Sequence, residues 1–75
     1  MVERTLLLDK IENVKLFVQF ALMQEYKITL SQGEKTVNAK VIMSVFKLDL
    51  TRPVKMMAEC EENEGFIKAI EKFRD

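Results

Sequence analysis

Apolar residues recur every three or four positions along residues 10–25, the spacing of a helix that lays one face on a core. The predicted inward face consists of Val14, Phe17, Val18 and Ala21, with Ile11 and Leu22 at its margins. Asp9 precedes the pattern and Glu12 comes three residues later, which is typical of a capping box that satisfies the free N–H groups of a first turn. The pattern therefore predicts a helix that begins at Lys10, with Asp9 as its cap.

Two shorter apolar patterns predict a second and a third helix. Residues 41–48 place Val41, Val45 and Leu48 four and then three positions apart, which suits a two-turn helix packed along one edge. Further along the chain, Asn63 is a favourable N-cap residue, and the apolar residues after it again follow helical spacing. These residues are Phe66, Ala69, Ile70 and Phe73.

Short segments of alternating apolar and polar residues predict the strands. Residues 2–8 are short and stop at an aspartate, so they indicate a strand rather than a helix. Residues 28–39 indicate a hairpin, because Gly33 supplies the conformational freedom that a tight turn needs. Residues 54–60 indicate a last strand, since Pro53 can open a strand but not occupy its middle. Its predicted inward residues are Val54, Met56 and Ala58.

The resulting order is strand, helix, strand, strand, helix, strand, helix. We expect the α+β class, with a four-stranded antiparallel sheet covered on one face by three helices, because two packed layers are an economical solution for a short chain. Residues 1–75 contain no repeat or linker-like segment. The whole chain is therefore predicted to form a single domain.

Composition and charge narrow the function. Twelve basic and twelve acidic side chains cancel, so neither a nucleic acid nor a membrane partner is expected. The single cysteine, Cys60, and the absence of histidine argue against a disulfide, a metal site or any cofactor. Cys60 itself has acidic neighbours and indicates an inert thiol. No targeting segment stands out at the first residues, and we expect a cytoplasmic protein.

The run Lys-Thr-Val-Asn-Ala-Lys at residues 35–40, inside residues 33–50, resembles the hairpin and second helix of the histidine-containing phosphocarriers, the HPr family of the sugar phosphotransferase system. Residues 1–5 resemble the opening strand of that family, Leu-Phe-Val-Gln at residues 16–19 its first helix, and residues 58–70 its last strand, acidic turn and final helix. The resemblance implies an open-faced sandwich with sheet order 1-4-2-3.

Two departures from the family concern its phosphorylation sites. The family carries a Gly-Leu-His-Ala-Arg-Pro type of segment whose histidine accepts the phosphoryl group, whereas residues 7–15 read Leu-Leu-Asp-Lys-Ile-Glu-Asn-Val-Lys and are shorter. Val41 stands where Gram-positive members have a regulatory serine. Ser44, one turn further on, is a weak candidate for a displaced phosphosite. The resemblance therefore implies the fold more strongly than the family's activity.

Other candidate sites have simpler explanations. The acidic residues Glu59, Glu61, Glu62 and Glu64 could suggest metal ligands or paired catalytic carboxylates. They lack the spacing of a metal-binding loop, and acids near the first turn of a helix complement its dipole. Asp9 could accept a phosphoryl group as an acyl phosphate, but the predicted cap explains it. We expect no catalytic residue and no enzyme activity.

Six apolar residues are candidates for contact with a partner protein. Leu16, Phe20 and Met23 fall opposite the inward face of the first helix. Ile42, Met43 and Phe46 match the exposed apolar patch that the family uses to meet its partners. Methionine-rich exposed patches adapt to several partners. The alternative is a first helix that is rotated, so that Leu16 and Phe20 are partly buried.

Three functional hypotheses follow. The first is a non-catalytic protein-binding or regulatory module that has lost phosphoryl transfer. The second is a phosphocarrier-type protein by descent, with an unorthodox phosphoryl acceptor or none. The third is a subunit that folds stably only as a homodimer and uses the same apolar residues.

Overall fold

The computed structural model describes residues 1–74 and confirms the predicted order of elements. The strands are β1 Val2–Leu6, β2 Ile28–Gln32, β3 Lys35–Asn38 and β4 Val54–Ala58, and the helices are α1 Ile11–Leu22, α2 Ile42–Val45 and α3 Glu64–Glu71. The four strands form one antiparallel sheet in the order β1-β4-β2-β3. The α+β class and the sheet order 1-4-2-3 are therefore confirmed.

The core lies between the sheet and the helices. The four inward residues predicted for α1 are its buried residues, and all three inward residues predicted for β4 are buried as well. The rings of Phe17 on α1 and Phe73 beyond α3 meet edge to face, with their centroids 5.6 Å apart. Helical and alternating periodicity identified these faces because each pattern directs apolar side chains to one side of its element.

The opposite face of the sheet is polar. The register places Thr5 beside Lys55, Lys55 beside Ser31, and Ser31 beside Thr36, in one row across all four strands. The amine of Lys55 lies 3.2 Å from the Glu3 carboxylate on the neighbouring strand. This alternation of apolar and polar faces is what an open-faced sheet with helices on one side requires.

Turn chemistry was predicted correctly at two places. The hairpin turns at Gly33, whose φ of 60° lies in the left-handed region that favours glycine. At the start of α3, the side-chain oxygen of Asn63 accepts a hydrogen bond of 2.8 Å from the backbone N–H of Phe66. Asn63 is thus the predicted N-cap.

The predicted cap of α1 is wrong. The helix begins at Ile11 with Lys10 as its N-cap, and among residues 1–74 no side chain accepts a hydrogen bond from its first turn. Tertiary contacts explain the shift, because Leu8 is buried and the N–H of Leu7 donates to the carbonyl of Phe73 at 2.8 Å. The chain is held against the C-terminal segment until Asp9, which leaves Asp9 exposed before the N-cap.

Four elements are shorter than predicted, and one of them is β1, which ends at Leu6 rather than at Leu8. α1 ends at Leu22 rather than near residue 25, because Met23 and Gln24 close it with bonds to carbonyls three residues back. α2 covers Ile42–Val45, and the rest of residues 41–48 continues in similar three-residue turns up to Leu48. β4 ends at Ala58, two residues before the predicted end.

Candidate functional site

The connection between β1 and α1 consists of residues 7–10. In the family this is where the resemblance places the phosphoryl-accepting histidine, and this chain has no histidine. Here Leu8 is buried, whereas Asp9 and Lys10 are exposed. The connection therefore offers no imidazole to a phosphoryl group.

The charges at the start of α1 do not favour a phosphate group. Asp9 stands just before the N-cap and Glu12 lies in the first turn, so two carboxylates offset the positive end of the helix dipole. Lys10 and Lys15 add two cations nearby in the sequence, and both are exposed. The local balance of charge is neutral, unlike that of a site built to hold a dianion.

Val41 lies just before the one-turn helix α2, and Ser44 lies within it. Val41 is its N-cap, and the carbonyl of Val41 accepts from the N–H groups of Ser44 at 3.0 Å and Val45 at 3.2 Å. Ser44 is half-buried within the turn. The regulatory hydroxyl of the family is thus replaced by an exposed apolar side chain.

The candidate contact residues lie on two helices that touch each other, α1 and α2. Met23 is 79% exposed, Met43 71%, Leu16 46% and Phe46 42%. Ile42 is half-buried and packs against the core. We call the six residues Leu16, Phe20, Met23, Ile42, Met43 and Phe46 the α1–α2 apolar surface.

Phe20 departs from its expected outward position. It is half-buried, and its ring packs on that of Phe66 in α3 at a centroid distance of 5.4 Å. The helix is not rotated, because its predicted inward face is the buried one. Phe20 instead finds a neighbour on another helix, which a wheel drawn from one segment does not show.

Further apolar residues are exposed on these helices or next to them. Ile11 and Leu22 are the two end residues of α1, and Val41 precedes α2. Sequence reasoning placed Val41 inward, and the first two at the margin of the buried face. Val41 differs because it precedes the helix rather than lying in it, so helical spacing does not describe its direction.

The acidic segment after β4 forms ion pairs. A Glu62 oxygen lies 2.6 Å from a guanidinium nitrogen of Arg4 on β1, and Glu64 faces Lys68 at 3.7 Å along α3. Within residues 1–74, no group of three histidine, cysteine, aspartate or glutamate side chains lies close enough to hold a metal ion. The Arg4–Glu62 pair thus joins the segment before α3 to β1.

Cys60 lies half-buried beside Tyr26. Burial raises the pKa of the Tyr26 hydroxyl to about 12, and the neighbouring Cys60 contributes in the same direction. The hydroxyl donates a hydrogen bond of 3.1 Å to the side-chain oxygen of Gln24. Tyr26 is therefore a neutral structural donor at ordinary pH.

Similar proteins are found among solved structures. The HPr-C-His protein of Thermoanaerobacter tengcongensis is 32% identical, with a TM-score of 0.77, and the match covers 96% of this chain and 89% of that one. The chain belongs to the HPr family. The histidine-containing phosphocarrier protein of Mycoplasma is 18% identical with a TM-score of 0.74, covering 95% of this chain and 89% of that one, and supports the HPr fold.

Comparison by sequence adds nothing to this assignment. No family model matches the chain, and no curated protein matches it. Within residues 1–74, each helix is too short or too polar to cross a membrane. Membership of the HPr family consequently rests on the structural match and its 32% identity.

Proposed function

We propose that this HPr-family chain is a non-catalytic protein-binding or regulatory module that has lost phosphoryl transfer. The observation that carries the proposal is the missing histidine, because the family's chemistry needs an imidazole that is nucleophilic near neutral pH. Two carboxylates occupy the helix start where an incoming phosphate would need positive charge. The scaffold is retained without the group that reacts.

What the chain retains is the α1–α2 apolar surface. Exposed apolar side chains are hydrated unfavourably, so the free energy falls when a partner's apolar surface covers them. Met23 and Met43 are the most exposed of these residues, and methionine side chains adapt their shape to different partners. We therefore propose that a protein partner binds across α1 and α2, in the cytoplasm.

Phosphoryl transfer is tested directly by incubating the chain with phosphoenolpyruvate and the first enzyme of the phosphotransferase system. A histidine-containing HPr serves as the positive control. Intact-mass spectrometry at neutral pH should find the control phosphorylated and this chain unmodified. A phosphoryl adduct on this chain, transferable to a further acceptor, would instead establish the second hypothesis.

That second hypothesis is supported by the similarity of the chain to an HPr protein, which has 32% identity and a TM-score of 0.77. An unorthodox acceptor would be a side chain other than histidine, such as a carboxylate or a hydroxyl, since histidine is absent. Hydroxylamine releases acyl phosphates but not phosphoserine. The same adduct experiment followed by hydroxylamine would therefore distinguish a carboxylate acceptor, such as Asp9, from a hydroxyl acceptor, such as Ser44, and peptide mapping would locate the residue.

Partner binding is tested with Phe46→Glu, which places a charge on the proposed surface. The matched control is Lys47→Glu, one residue away and also exposed. Proteins captured by the wild type are identified and titrated by calorimetry. We expect Phe46→Glu to weaken binding at least about tenfold, since the loss of a hot-spot side chain from an interface costs about 2 kcal/mol or more. Equal affinity of both variants would contradict this surface.

A further inference from the structure

The ends of α1 and α2 meet at a polar junction. The ammonium group of Lys40, just before α2, donates a hydrogen bond of 2.6 Å to the backbone carbonyl of Gln24, just after α1. Lys40 is half-buried there. Its own backbone N–H donates to the side chain of Asn38 at 2.9 Å. One side chain thus ties together the two helices that carry the α1–α2 apolar surface.

The acceptor side of this bond is held firmly. The Gln24 side-chain amide donates to the carbonyl of Phe20 at 3.1 Å, and its backbone N–H donates to that of Ala21 at 3.1 Å. Its side-chain oxygen accepts from Tyr26, whose ring packs on Phe66. The carbonyl that Lys40 reaches therefore belongs to the closed end of α1. A cation at the C-terminal end of a helix is also favoured by the helix dipole.

Lys40, the donor of this hydrogen bond, precedes a short helix that depends on its surroundings. α2 has four residues, a length at which a helix is not stable by itself. Its interior contributes Val45 to the core, and beyond its C-terminal end the side chain of Gln32 exchanges hydrogen bonds with Asp49. Lys40 is the corresponding anchor at the N-terminal end. Without it, the start of α2 would keep the buried Ala39, Val45 and the packing of Ile42 against the core, but would lose its hydrogen bond to the end of α1.

We propose that Lys40 is a positioning residue, which holds α2 against the end of α1 and so sets the shape of the α1–α2 apolar surface. The proposal deepens the proposed function and rests on it for its biological meaning. The positioning itself is a property of the free protein. It is thus measurable whether or not a partner has been found.

The test compares Lys40→Met, which keeps the length but loses the ammonium group, with Lys40→Arg, which keeps a cation. Lys47→Met is the matched control, since Lys47 is an exposed lysine at the other end of α2. Hydrogen exchange is followed at the amides of Ser44, Val45 and Phe46. We expect exchange about tenfold faster in Lys40→Met, as for losing a charge-assisted hydrogen bond, and restored by Lys40→Arg.

The amides of Leu30 and Met56 in the central strands report global opening, and they should exchange at the wild-type rate. Unchanged hydrogen exchange in α2 of Lys40→Met would overturn the proposal, as would an equal rise in exchange in the central strands.

If Lys40→Met does not fold, a measurement on the wild-type protein tests the same proposal. Nitrogen NMR of its lysine ammonium groups should show slow proton exchange at Lys40, and rapid exchange there would overturn the proposal.

A partner that binds wild type but not Phe46→Glu gives the second measurement. Its affinity should fall several-fold in Lys40→Met and recover in Lys40→Arg. If the α2 amides of Lys40→Met exchange faster but no such partner is found, the proposed contact function is contradicted and the positioning role of Lys40 is supported. Unchanged exchange together with normal partner binding would remove the positioning and leave the contact function standing.

Discussion

Single residues decide which chemistry this HPr scaffold has available. Lys10 is the N-cap of α1, no side chain among residues 1–74 caps the first turn, and the sequence contains no imidazole. Val41 occupies the N-cap of α2 without a hydroxyl to modify. The backbone cannot replace a missing nucleophilic side chain. These positions therefore limit the reactive groups that the chain offers, while the HPr fold is retained.

Asp49 offers a prediction about pH. Its carboxylate accepts from the Thr51 hydroxyl at 2.6 Å and from the Thr51 N–H at 3.1 Å, and these bonds, the hydroxyl first, hold its pKa below 3.8. In Thr51→Val we expect the pKa of Asp49 to move up toward 3.8, because the stronger donor is gone. Carboxyl NMR titration measures the change, and Thr36→Val is a control on the open face.

The sign for stability follows from linkage. A carboxyl whose pKa is lowered by folding stabilises the native state at pH values above its pKa in the unfolded chain. This contribution is lost as the pH falls through the pKa of the folded state. In Thr51→Val the free energy of unfolding should therefore fall less steeply on acidification below pH 3.8. An identical slope in wild type and variant would contradict this role of Thr51.

At the scale of elements, local sequence signals set some boundaries, and long-range contacts set the others. The β2–β3 hairpin and α3 begin where turn and cap residues direct them, at Gly33 and Asn63. α1 and α2 begin and end where contacts with other segments allow. α2 in particular depends on its surroundings, because one turn of helix cannot stabilise itself.

The chain has two glycines, and they should respond to alanine with opposite signs. Gly33→Ala should destabilise the protein by about 1–2 kcal/mol, because its φ of 60° costs that much for a residue with a Cβ atom. Gly65→Ala lies in α3, where the nearest atom to a new Cβ is 3.6 Å away. It should stabilise by up to about 1 kcal/mol. Urea unfolding measures both, and a shared sign would contradict the argument.

At the scale of the whole molecule, the core is complete within one chain. Side chains from all three helices and from β1, β2 and β4 are buried together in a single apolar cluster. The α1–α2 apolar surface lies outside that cluster, except for Phe20 and Ile42, which pack against it. The molecule therefore separates a region that stabilises the fold from a region that is available for contact.

This separation predicts how melting depends on concentration. If the contact surface serves a different protein, the melting temperature should not change between micromolar and millimolar chain concentrations. Phe46→Glu should melt within a few degrees of wild type, since Phe46 is exposed. Differential scanning calorimetry with light scattering measures both. A melting temperature that rises with concentration, and no longer does so in Phe46→Glu, would favour the homodimer instead.

The sequence by itself determined the order of elements, the inward faces of α1 and β4, the hairpin turn and the cap of α3. These features follow from periodicity and turn chemistry, which operate within a few residues. It also determined that the family's histidine is absent. The tertiary structure decided where α1 starts and that Phe20 packs on Phe66. It also decided that Lys40 reaches Gln24. These contacts join residues far apart in the chain, and their geometry is set only when the sheet and helices pack together.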